Sequence, residues 1–96
     1  MGAANKELTS RKERIRASLT MRFAPEALDV IDESDRHVGH AGASPTGETH
    51  FRVRITARAF AGLSRVDRHR AVTDALAGEF ASGLHALSIE AQAPAA

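Results

Sequence analysis

The stretch "THFRVRITARAF", Thr49 to Phe60, constrains the fold more than any other part of the chain. Phe51, Val53, Ile55 and Ala57 alternate with Arg52, Arg54, Thr56 and Arg58. A period of two belongs to a β-strand, whose successive side chains point to opposite faces. One face is apolar and the other strongly basic, so the strand is expected to bury one side and leave the other to solvent or to a partner. The same period recurs twice. "ALDVID" sets Leu28 and Val30 against Asp29 and Ile31, and "LHALSIEAQAP" sets Leu87, Ile89 and Ala91 against Ser88, Glu90 and Gln92, with Pro94 closing it.

Between the strands lie helical signals. Ser10 and Glu13 in "SRKERIRASLTMRF" have capping-box spacing, in which hydroxyl and carboxylate satisfy the first orphan amides of a helix. Ile15, Leu19 and Phe23, with Leu8 ahead of them, fall at helical spacing, basic residues take the outer face, and Pro25 ends the helix. "SRVDRHRAVTDALAGEFASG" reads as a second helix, with Ser64 and Asp67 as another capping pair and Gly83 as its C-terminal stop. "ESDRHVGHAGASPTGE" is a loop, rich in Gly, Ser, Asp and Pro.

The order is therefore helix, strand, loop, strand, helix, strand. The strands flanking the loop can pair antiparallel. The second and third are joined through a helix, which predicts a parallel pair. The expected fold class is α+β, a small mixed three-stranded sheet with helices packed on one face.

At 96 residues the chain is one domain, with residues 1–9 expected to be a flexible lead-in and the folded domain to span 10–94. With no cysteine there is no disulfide framework and no thiol chemistry. No apolar run approaches the length of a membrane span, and the N-terminus has no apolar h-region. These features fit a cytoplasmic protein. A formal charge of +1 does not by itself call for nucleic acid, so that case rests on clustering of basic residues.

Three groups of residues are candidates for chemistry. In the second helix Val66, Val72, Thr73, Leu76 and Phe80 fall on one stripe, and His69 of "RHR" falls near its middle. His69 is expected to pack inward and hydrogen-bond a backbone group; a catalytic role would need a titratable neighbour. Arg52, Arg54 and Arg58 could meet phosphates. However, Asp29, Glu33 and Glu90 share their outer parity, so cross-strand pairing accounts for them equally well, and no aromatic is there to stack bases. The third group is the histidines: His37 and His40 in "HVGHAG", His50 at the mouth of the second strand and His85 at the start of the third. Imidazole binds Zn, Fe or Cu, but H-x-x-H without a companion pair is a weak signal. His40 and His85 make the natural pair, because the loop and the last strand's start could share one end of the sheet.

Three segments together resemble the BolA family: "PEALDVIDESDRHVGHAG", "ETHFRVRITARAFAGLSRVDRHRAVTDAL" and "GLHALSIEAQAP". The most specific parts are the run formed by Phe60, Gly62, Ser64, Arg68, His69 and Arg70, and the segment from His85. The likeness covers residues 10 to 94. It implies a fold related to the class II KH domain, in agreement with the element order, and a non-enzymatic role.

The resemblance further implies a heterodimer with a monothiol glutaredoxin that holds a [2Fe–2S] cluster. The glutaredoxin and its glutathione would supply thiolates. This chain would supply His85 and a loop ligand, His40, with His37 as the second candidate. Imidazole in place of thiolate removes negative charge from such a cluster and raises its potential. The family is also linked to transcription and cell morphology, which implies DNA contact through Arg65, Arg68 and Arg70, with Arg52 and Arg54. The apo chain is expected to be a monomer or a weak dimer, with no membrane attachment.

Overall fold

The computed structural model of the protein describes residues 10–34 and 49–95. The lead-in, Leu8, and the loop histidines His37 and His40 lie outside the described residues.

The chain opens on α1, Arg11–Phe23. Ser10 caps it: its Oγ accepts from the Glu13 amide at 3.1 Å and donates to the Glu13 carboxylate at 3.0 Å. The helix stops at Ala24, which sits in the left-handed region (φ 46, ψ 57) and returns its amide to the Thr20 carbonyl at 3.0 Å. β1 follows at Ala27–Asp32, β2 at His50–Thr56, α2 at Arg65–Ala75, α3 at Ala77–Ala81 and β3 at Ala86–Gln92.

The sheet order is β1-β2-β3. β1 and β2 pair antiparallel with Val30 opposite Val53, and β2 and β3 pair parallel with Val53 opposite Ile89, as the connections require. β2 is central, which explains why its alternation is the cleanest. Phe51, Val53, Ile55 and Ala57 are all buried, packed with Ile15 and Leu19 of α1, Val72 of α2, and Phe60, Leu76 and Leu84. Both helical layers thus lie on the apolar face of the sheet, in the α-β-β-α-β order expected.

The boundaries correct four expectations. β2 ends at Thr56, and Arg58–Phe60 forms a 3-10 turn instead of extending the strand. That turn carries Phe60 into the core, its ring 4.9 Å from that of Phe23, and takes Arg58 off the basic face to a place 3.6 Å from Glu26. The second helix is two pieces. They break at Leu76 (φ −110, ψ 17), whose amide is shared between the Val72 and Thr73 carbonyls at 3.2 and 3.1 Å while its side chain fills the core. Val66 is 57% exposed and Thr73 is exposed, so the inward stripe begins later than drawn, at Val72. Val66 belongs to the first turn of α2, ahead of the part that packs on the sheet.

The fourth correction concerns the basic face of α1. Arg11 is only 9% exposed. Its Nη1 donates to the Glu79 carboxylate at 2.8 Å, the Glu79 carbonyl at 3.1 Å and Ser82 Oγ at 2.9 Å. Arg14 adds bonds to the same carboxylate at 3.0 and 3.1 Å. These two arginines tie α1 to α3. Gly83, with φ +129, ends α3, and a Cβ there would meet Arg11 Nη2 at 3.1 Å. Only glycine suits both the angle and the guanidinium.

Candidate functional site

The parallel register sets His50 opposite Ala86, which puts His85 at the same end of the sheet. The backbone fixes this junction. The Thr49 carbonyl accepts from the amides of His85 at 2.8 Å and Ala86 at 3.1 Å. Ser34, at the end of β1, is buried; its Oγ accepts from the amides of Thr49 at 2.9 Å and His50 at 3.1 Å. The Ser34 amide itself donates to the Asp32 carboxylate at 2.8 Å. A hydroxyl that takes one buried and one part-buried N–H satisfies donors that would otherwise be orphaned where β1 and β2 part.

On this scaffold the His85 side chain is exposed and that of His50 half-buried. Their ring centroids are 6.1 Å apart and tilted by 39°. His50 Nδ1 is 2.8 Å from Thr49 Oγ1. The connection that carries His37 and His40 leaves from Ser34 and returns at Thr49, so both of its ends meet beside His85. Among the described residues no three His, Asp or Glu side chains converge as a metal cluster. The expected partner of His85, His40, lies outside the described residues, as does His37. The pair that the structure does bring together is His85 with His50, which sequence reading placed at two strand mouths without joining them. The signal was available: matching the apolar parity of Phe51 with that of Leu87 puts the two histidines at one end.

The basic candidates lie elsewhere. On the open face of the sheet, Arg52 Nε donates to Glu33 at 3.0 Å and its Nη1 to Glu90 at 3.2 Å, and Arg54 Nε reaches Glu90 at 3.4 Å. The hydrogen bond to Glu33 and that carboxylate's charge, then Glu90, raise the Arg52 pKa above its usual value. Cross-strand pairing therefore accounts for this face, as the shared parity anticipated.

At the other end of the sheet, a groove of about 510 Å³ runs between α2 and β3, lined by Leu63, Arg65, Arg68, His69, Ile89 and Gln92 among others. Arg68 crosses it, donating to the carbonyls of Leu63 at 3.0 Å and Ala91 at 3.4 Å. The second bond occupies a carbonyl of β3, an edge strand. Arg70 stands 3.8 Å from Asp67, and Arg65 is exposed with no partner among the described residues. His69 is half-buried on the groove wall and is not part of the core. Its backbone carbonyl accepts from Thr73 Oγ1 at 2.8 Å, whereas its ring makes no hydrogen bond among the described residues. This corrects the inward packing expected of it: the inward stripe starts one turn later, at Val72.

Comparison with known proteins gives a consistent set of likenesses. The family model for BolA-like proteins matches residues 19–96. An uncharacterized protein in the cobS 5' region of Sinorhizobium sp is 54% identical over 83 residues, covering 85% of this chain and 89% of that one. SufE-like protein 1, chloroplastic/mitochondrial, of Arabidopsis thaliana is 50% identical over 92 residues, covering 92% of this chain. The solved BolA domain of SufE1 from Arabidopsis thaliana superposes with a TM-score of 0.81 at 49% identity, covering 91% of this chain and 95% of that one. The chain spans 25% of the length of the Arabidopsis SufE-like protein and 56% of that of the mouse BolA-like protein 1.

Proposed function

The chain belongs to the BolA family, and from that premise we propose that it is a non-enzymatic partner module that binds a monothiol glutaredoxin and shares a [2Fe–2S] cluster with it. The role would be iron–sulfur homeostasis or cluster transfer. The observation that carries this reading is the clasp at Thr49. It fixes the backbone of His85 while leaving the imidazole exposed, and it brings both ends of the loop that bears His37 and His40 to the same point.

The donor chemistry suits the group. Imidazole is an accepted ligand of iron, and a chain without cysteine leaves the thiolate positions to the glutaredoxin and its glutathione. His85 is the first ligand and His40 the second, with His37 as the other loop candidate. A cluster with imidazole ligands supplies a centre of higher potential than an all-thiolate one. The chain's own residues present the imidazoles and hold the loop ends, and its helices keep the apolar face of the sheet closed.

Mixing this chain and a monothiol glutaredoxin with iron, sulfide and glutathione should give visible absorbance and circular dichroism distinct from the glutaredoxin homodimer. A His40→Ala/His85→Ala double variant should return the homodimer spectrum; if it keeps the mixed spectrum, the ligand assignment is wrong. The DNA-binding reading draws on Arg65, since Arg52, Arg54, Arg68 and Arg70 already hold internal partners. Of these candidates Arg65 alone has no partner among the described residues, and one phosphate contact adds roughly one unit of salt slope, which is thin support for a specific complex.

A further inference from the structure

β3 is an edge strand, and its free edge opens onto the groove beside α2. Two hydrogen bonds fix the parity of its main chain. The Gln92 carbonyl accepts from the Ala57 amide at 3.0 Å, on the side of β2, and the Ala91 carbonyl accepts from Arg68 Nη1 at 3.4 Å, on the side of the groove. In a strand the N–H and C=O of one residue point to one side and those of the next residue to the other. The amide and carbonyl of Ile89 and the amide of Ala91 therefore face the groove, with no strand beside them among the described residues. Such a row of unpaired groups is a template for another strand.

The walls of the groove indicate what would fill it. Leu63, Ile89 and Ala91 make an aliphatic side, and no Phe, Tyr or Trp is in the lining. The groove thus lacks the platforms on which the bases of a single strand stack. Two guanidiniums in the lining have no carboxylate partner among the described residues. Arg65 is exposed, and Arg68 donates to the neutral carbonyls of Leu63 and Ala91. Glu90, the acid in the lining, is engaged by Arg52 at 3.2 Å and Arg54 at 3.4 Å on the open face of the sheet. Free main-chain groups, aliphatic surface and uncompensated positive charge therefore meet in one place.

We propose that this groove docks an extended, acidic segment of a partner protein, which adds to the free edge of β3 as a further strand and sets carboxylates against Arg65 and Arg68. Main-chain bonds to Ile89 and Ala91 supply affinity, and the positive charge selects an acidic sequence. Arg68 keeps its bond to the Ala91 carbonyl and so marks where the added pairing stops. The groove lies towards the end of β3 remote from His85, and its occupancy does not depend on a shared cluster.

The test is titration of the full, partner-free chain with an acetylated, amidated peptide in which glutamate alternates with valine, followed by NMR and amide hydrogen exchange. The expected result is saturable binding that shifts the amides of Arg65, Ile89 and Ala91 and slows exchange at Ile89 and Ala91. The same peptide with lysine in place of glutamate should bind at least about tenfold more weakly, because like charges then meet. Arg65→Glu, at an exposed position that the fold does not use, should weaken binding of the glutamate peptide at least about threefold, the scale of an exposed charge pair lost and inverted. An oligothymidylate at the same concentration should leave Ile89 and Ala91 unmoved. The proposal is overturned if the glutamate peptide does not saturate a site, if the lysine peptide binds equally well, or if Arg65→Glu binds like the parent. It is also overturned if exchange at Ile89 and Ala91 is unchanged in the bound state, if the oligonucleotide occupies the groove, or if the chain alone pairs through β3 with a second copy. None of these outcomes depends on cluster assembly with a glutaredoxin.

Discussion

The two ends of the β2–β3 pair use their polar groups in opposite ways. At the end where the strands begin, backbone amides and carbonyls are consumed by the Ser34 and Thr49 clasp, while the imidazole of His85 is left at the surface. At the end where they finish, it is the Arg68 side chain that is consumed. Arg68 is spent on the carbonyls of Leu63 and Ala91, and Arg70 stands near Asp67. The first cation of the conspicuous "RHR" is thus structural, while the less conspicuous histidine of "LHAL" is presented outward. Abundance of charge is a poorer guide to a site than whether the charge has already been used.

The largest effect that would break this contrast comes from the clasp. Ser34→Ala leaves the buried amide of Thr49 and the part-buried amide of His50 without their acceptor and should cost about 2 kcal/mol of stability, given the penalty for unsatisfied buried donors. Denaturant titration measures this, and hydrogen exchange should show the amides of Thr49, His50 and His85 losing protection first. A cost close to zero would mean that the junction is held by something other than Ser34.

Arg68→Ala should cost less, about 1 kcal/mol, because it removes two hydrogen bonds at a partly exposed place. It also uncovers the Ala91 carbonyl on the edge strand, so self-association measured by sedimentation should rise. His85→Gln should change stability by less than about 0.5 kcal/mol, the usual range for surface substitutions. Smallest is Glu90→Gln, which loosens Arg52 and Arg54 together. Its effect on melting temperature should disappear in about 1 M salt, where exposed charges are screened. A salt-independent effect would show that this face is less open than it looks.

Much of the fold was legible in the sequence because it is set locally or by parity. Ser10 and Ser64 cap their helices within one turn, and the alternation of Phe51, Val53, Ile55 and Ala57 survives intact because β2 is covered on one face along its whole length. What was not legible depends on distant partners. Arg11 looks like a solvated helix charge until Glu79 and Ser82 arrive from the far end of the chain. The break at Leu76 and the turn at Arg58–Phe60 serve the core, which periodicity within one segment does not describe. The candidate site divides in the same way. His85 was found from its motif, whereas its neighbour His50 emerges only from the register between two strands.

The central claim is that the histidine end meets the partner's cluster while the arginine end serves the fold. Its most direct test is parallel reconstitution of His85→Ala and Arg68→Ala with a monothiol glutaredoxin, iron, sulfide and glutathione, read by visible circular dichroism. The account predicts that Arg68→Ala keeps the mixed-complex spectrum and that His85→Ala loses it while remaining folded. The reverse pattern, or a mixed-complex spectrum unchanged by His85→Ala, would contradict it.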